Sequence, residues 1–185
     1  GVVTDDLRRA IETSTGRNLE WFFDQWVHKG GHPELTVSWS YDAAKGMLSV
    51  SVRQGQAADD LTPEAFRFTA EVDVVHGKTS VRHRLDVRRR EHTFWIPMDK
   101  APDAVRFDPE GDLLASVTID RPPDQQRKTL ADDPSVISRA RAAEALAKDP
   151  TQATVEALAK ALHDEFWGVG AEAARRGVAV GNELA

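Results

Sequence analysis

The chain has 185 residues, 41% hydrophobic and 29% charged, the composition of a folded globular protein with room for one large or two small domains. Thirty acidic against 24 basic residues give a formal net charge of -6, which argues against general nucleic-acid binding, since phosphates call for a basic face. The absence of cysteine excludes a disulfide framework and any thiolate metal site, and no apolar run approaches the roughly 20 residues that span a bilayer.

Residues 1–32 read as two helices. Thr4 is placed as an N-cap, Asp5 and Asp6 fill the first turn, Leu7, Ala10 and Ile11 form one apolar stripe, and Gly16 is the stop. Asn18 caps the second helix, whose expected buried face is Leu19, Phe22, Phe23, Trp26 and Val27, and Gly30-Gly31 ends it. Helices this short and this aromatic cannot hide their apolar faces on each other. They call for a larger host, either the next domain or a part of a parent protein.

From residue 33 to about 121 the period changes from 3.6 to 2. Leu35, Val37, Trp39 and Tyr41 alternate with polar neighbours, as do Leu48, Val50 and Val52, then Phe66 to Val74, then Val81, His83, Leu85 and Val87. Further strands are expected at Thr93–Pro97, Ala104–Phe107 and Leu113–Ile119, separated by polar, Gly- and Pro-bearing turns. About seven short strands with one apolar face predict an antiparallel, Ig-like β-sandwich. Arg88-Arg89-Arg90 reads as an edge-strand charge run.

Residues 122–185 return to helix after Arg121-Pro122-Pro123-Asp124. Here the sequence repeats at an offset of 31: Asp133 aligns with Asp164, and Ala140, Ala142 and Ala143 align with Ala171, Ala173 and Ala174. Thr154–Leu162 lies between as another helix. Helix pairs with small residues at the packing positions resemble HEAT repeats, of which one unit and part of a second are present. The fold class is therefore mixed: a short helical segment, a sandwich of about seven strands, and HEAT-like α-helical repeats.

No segment offers catalytic machinery, so the expected catalytic, cofactor-binding and metal residues in this chain are none. His28 and His32 stand four apart as in the His-Glu-x-x-His metallopeptidases, but Lys29 occupies the place of the glutamate base and Gly30-Gly31 breaks the helix between them. His83 reads as a core or edge histidine, while His76, His92 and His163 lack ligand spacing. Asp108-Pro109-Glu110-Gly111-Asp112 has three nearby carboxylates without the alternation of a calcium loop, and reads as a hairpin turn. Trp21, Trp26 and Trp39 would form a carbohydrate platform only if exposed; their spacing predicts burial, and Phe166-Trp167 likewise reads as helix packing. There is no nucleophile elbow and no phosphate loop.

Three motifs in order carry a resemblance: Gly16-x-x-Leu19-x-x-Phe22-Phe23-x-Gln25-Trp26, the junction Gly31-x-Pro33-x-Leu35, and Phe107-Asp108-Pro109 followed by Leu113-Leu114. Together they resemble the aminopeptidase N family of zinc metallopeptidases, over nearly the whole chain. The resemblance implies three parts: the last helices of a catalytic domain (1–32), a β-sandwich (33–121) and the start of a HEAT-like helical domain (122–185). It implies a parent that removes amino-terminal residues from peptides, with zinc in the parent and none in this chain. The expected partners are the catalytic domain of the same parent chain and the parent's peptide substrates, with no nucleic acid and no membrane span. The zinc ligands, glutamate base, Gly-x-Met-Glu-Asn segment and transition-state tyrosine of such enzymes have no counterpart here. This piece would be scaffold and substrate-chamber wall, and the short helical stretch after Pro122 points to a truncated domain. The rival reading is a free-standing protein- or glycan-binding module; an independent hydrolase has no motif behind it. Gly1 is followed by no signal peptide or basic leader, and the sequence leaves the compartment open.

Overall fold

The computed structural model describes residues 3–184. Seven strands, β1 (Glu34–Asp42), β2 (Met47–Gln54), β3 (Phe68–His76), β4 (Thr79–Val87), β5 (Glu91–Pro97), β6 (Ala104–Phe107) and β7 (Ser116–Ile119), form two sheets in the orders β5-β2-β1-β7 and β4-β3-β6. The period of 2 sends Leu35, Val37, Leu48, Val50 and Val52 from one sheet against Ala70, Val72, Val74, Leu85 and Val105 from the other, and all are buried in one core. Phe66 just precedes β3 and is fully buried in the same core.

The sandwich is mixed rather than antiparallel. β7 runs parallel to β1, with Leu35 opposite Val117 and Val37 opposite Ile119. The cause lies at Asp108–Gly111, because β6 and β7 belong to different sheets and this turn carries the chain across the sandwich instead of folding it into a hairpin. Leu113–Ala115 is the landing segment, so the last strand is shorter than its apolar pattern suggests.

Before the sandwich, α1 (Thr4–Thr15) leads to α2 (Glu20–Phe23), which widens into a π-helical turn over Asp24–His28. The N-cap of α1 is Val3, not Thr4; the Asp6 carboxylate accepts the Val3 N–H at 3.1 Å, and Gly16 ends the helix in the left-handed region at φ 68°. The cap of α2 is Leu19, while the Asn18 side-chain Oδ1 accepts the Glu20 N–H at 3.2 Å. The Glu12 carboxylate ties the two helices by accepting the Leu19 N–H at 2.7 Å and an Arg8 N–H at 2.8 Å.

After the sandwich, α3 (Pro123–Asp132) and α4 (Val136–Leu146) make one helical hairpin, and α5 (Gln152–Ala161) and α6 (Trp167–Leu184) a second. α5 packs on α3 and α6 on α4, enclosing a second core of Leu130, Ala142, Ala143, Leu146, Leu158 and Val169. Ser135 and Thr151 cap α4 and α5, each accepting the N–H three residues on at 3.3 Å.

Candidate functional site

Two features could carry function: a groove beside the aromatic helix and a polar junction between the sandwich and the helical hairpins. The groove forms because α2 and its π turn dock by one face only. Gln25 is buried and treats Arg67 as a strand neighbour would, donating Nε2–H to the Arg67 carbonyl at 3.0 Å and accepting the Arg67 N–H on Oε1 at 2.7 Å. Phe23 is buried beside it, and Trp26 lies on Phe66 with ring centroids 5.2 Å apart. The expected buried face was drawn for a regular helix. Phe22, Val27 and Trp21 are exposed, and the Trp21 indole is covered on one side only, by the Arg67 guanidinium at 5.1 Å.

Between these aromatics and Pro33, Phe68 and Leu113 lies an apolar groove of about 430 Å³, with Leu114 exposed on its rim. α1 adds a second uncovered surface. None of its residues is buried, and Leu7 is 55% exposed.

The junction at the other end is polar and paired. Asp108 takes the left-handed φ of 48° and its carboxylate accepts the Asp112 N–H at 2.9 Å and the Arg141 guanidinium at 2.7 Å. Arg141 also donates to the Phe107 carbonyl at 2.6 Å. The Phe107-Asp108-Pro109 motif therefore locks α4 to the sandwich, with the Asp108 carboxylate engaged by the Arg141 guanidinium and the Asp112 N–H. Arg106 pairs with Asp133 at 3.0 Å, and the Gln126 amide donates to the Ile119 carbonyl at 2.6 Å.

Asp133 and Asp164, 31 residues apart, do the same work. Each begins the second helix of its hairpin by accepting an N–H two residues on, from Ser135 at 2.8 Å and Phe166 at 2.9 Å. Each also accepts an arginine from the preceding layer: Arg106 of the sandwich reaches Asp133, and Arg139 of α4 grips Asp164 with two bonds of 2.8 and 2.9 Å. This bond to Arg139 holds the Asp164 carboxyl below the usual carboxylate range.

The aligned alanines then diverge. Ala143 is fully buried between the hairpins while Ala174 is exposed, and Trp167 and Val178 on the second hairpin are 78% and 67% exposed. The expected burial of Phe166-Trp167 therefore does not hold; the two rings stack on each other at 5.9 Å near solvent.

The histidines are not brought together. The π turn stops at His28, Lys29 is extended and Gly31 has φ 77°, so His32 points elsewhere and lies 3.1 Å from the Ser116 hydroxyl. His83 is half-buried opposite Val72, and His92 stacks on Phe94 at 4.1 Å with its Nδ1 buried and unpartnered. Among the described residues no group of three or more His, Asp or Glu is placed to hold a metal ion. No described helix is long and apolar enough to cross a membrane.

Arg88–Arg90 follows β4 rather than lying in it. Arg88 pairs with Asp86, and Arg90 donates to the Gln56 carbonyl at 3.2 Å, pinning the loop after β2. That loop touches the helical segment where Gly30 N–H donates to the Leu61 carbonyl at 3.0 Å. Sequence reasoning named Gln25 only as part of a motif, without its docking role, and missed Arg139 and Arg141. For Arg139 a signal existed, since it stands three and seven residues before the buried Ala142 and Leu146, on the inner face of α4.

No protein-family model matches the chain. A curated relative, Transcription initiation factor TFIID subunit 2 of Drosophila melanogaster, is 27% identical over 213 residues, taking in 99% of this chain. Among solved structures, Legionella pneumophila aminopeptidase A in complex with aspartic acid superimposes with a TM-score of 0.66 over 94% of this chain at 14% identity. That likeness shows a shared fold. The chain spans 17% of the first protein and 22% of the second.

Proposed function

We propose that this chain is a non-catalytic coupling segment of a longer aminopeptidase-type protein. In this reading it divides at residues 32 and 121: two helices completing a catalytic domain, a sandwich, and the first units of a HEAT-like array. The observation that supports the reading is the apolar surface left uncovered on the flanking helices and beside them: Leu7, Trp21, Phe22 and Leu114 in the first set, and Phe166, Trp167 and Val178 in the second. The preceding domain would cover the first set and further helices the second. The parent would hydrolyse amino-terminal residues from peptides with zinc held outside this segment, and the sandwich and helices would wall the substrate chamber.

A second reading keeps the coupling role but gives it a parent that is an assembly subunit, favoured by the name of the curated relative, a transcription initiation factor subunit. Assay of the longer parent with aminoacyl anilides separates the two. Zinc-dependent turnover lost on chelation supports the enzyme; no turnover by a folded, zinc-supplied parent supports the assembly subunit. Zinc-dependent turnover by residues 1–185 alone would refute both.

A further inference from the structure

The arginines at the junction of sandwich and helices, and those that tie the helices to one another, are each matched. Arg106, Arg127, Arg139 and Arg141 all have a carboxylate oxygen within 3.0 Å. A cleft of about 320 Å³ at the same junction breaks this pattern. Arg53 of β2, Arg121 after β7 and Lys148 after α4 line it, and among the described residues none of them has a carboxylate oxygen within 4.0 Å. The Thr36 and Thr118 hydroxyls lie on the same sheet face, in register with Arg53 across β1 and β7.

Arg121 is the most incompletely satisfied of the three. Its guanidinium stacks over Trp39 at 5.0 Å, and one Nη donates to the Val105 carbonyl at 3.1 Å. Its Nε is buried with no acceptor, and burial lowers its pKa from the ordinary guanidinium value. Two carboxylates also line the cleft. Asp149 is taken up by Arg127 at 2.8 Å and Thr154 at 2.6 Å, Asp120 stands exposed on the rim, Glu91 lies opposite Arg53 on the neighbouring strand and Asp133 acts on Arg121 from a distance; none forms an ion pair with the three cations, so the cleft keeps unpaired positive charge. Like charges gathered in a concave site with low-dielectric walls focus a positive potential, and guanidinium forks match oxyanions in pairs.

We infer that this cleft is an oxyanion-binding site, taking a phosphoryl or carboxylate group carried on a small molecule and clamping the sandwich to the helices when filled. Its volume is at the low end of the about 300–1,000 Å³ of small-molecule pockets. The anion would span Arg53 on the sheet and Lys148 on the helical side, with Arg121 between them.

The test follows arginine side-chain Nε–H resonances of the folded chain during titration with inorganic phosphate, with succinate, and with sodium chloride at matched ionic strength. Saturable shifts at Arg53 and Arg121 with phosphate identify a phosphoryl site; saturation with succinate alone identifies a carboxylate site. In either case the Arg53→Gln/Lys148→Gln variant abolishes saturation. Both side chains are exposed, so the variant is expected to keep the parent melting temperature in anion-free buffer. Shifts that follow sodium chloride equally, or saturation that survives in the variant, would overturn the assignment.

Discussion

The sandwich has a helical neighbour at each end, and the two are attached in opposite ways. At the carboxy-terminal end α4 is bound by Arg141 to Asp108 and α6 is bound back to α4 through Arg139 and Asp164, all buried or nearly so. At the amino-terminal end one glutamine and two aromatic rings hold the π turn, and α1 buries nothing. Losing one partner of a buried ion pair is costly, because the survivor is left charged in a poor solvent. A helix with no buried residue gains little from packing and is held here chiefly by the Glu12 carboxylate on the Leu19 N–H. The first attachment fixes an orientation. The second leaves apolar surface exposed.

Breaking the tight end should cost most. Arg139→Ala leaves Asp164 buried and unpaired and is expected to lower unfolding free energy by about 3–5 kcal/mol, read by chemical denaturation. Phe66→Ala, which removes a core ring shared by the sandwich and Trp26, should also cost about 3–5 kcal/mol. An Arg139→Ala effect near zero would reduce the helical junction to decoration. At the loose end Gln25→Ala strips two bonds from the Arg67 backbone and is expected to cost about 1–3 kcal/mol, with increased exchange confined to residues 20–28.

Acid should sharpen the contrast. The Asp164 carboxyl is held below its ordinary range by Arg139, so its contribution is fully present above the unfolded carboxylate pKa of about 4 and is lost as pH falls through the lower folded value. The helical hairpins should therefore loosen below about pH 4, and Asp164→Asn should flatten that part of the stability curve at a cost already evident at neutral pH. The smallest effect belongs to α1: removing residues 1–16 should leave the melting temperature of the remainder unchanged.

The same asymmetry explains what the sequence disclosed. Strand alternation was legible because the partner of each inward side chain lies within the chain, and the switches from helix to strand at Glu34 and from strand to helix at Pro123 were legible from the change of period. The parallel pairing of β1 with β7 was not, since it joins residues some 80 positions apart after a crossing between sheets. Asp133 and Asp164 were found as a repeat, but their arginine partners were invisible because charged residues on an apolar stripe are discounted until the opposing carboxylate is known. The misplaced face of the aromatic helix has a different cause. Helical spacing assigned Phe22 and Val27 inward, whereas Gln25 is the residue that docks, on the Arg67 backbone just before β3, and the helix has widened into a π turn there, which leaves Phe22 and Val27 exposed.

Hydrogen–deuterium exchange, run on residues 1–185 and on the longer parent, tests the central claim most directly. The coupling account predicts that the amides of α1, of Trp21–Phe22 and of Phe166–Trp167 become protected by about tenfold or more in the parent, while the sandwich core is unchanged. Equal exchange at those segments in both proteins would mean that nothing covers the apolar ends, and would contradict the account.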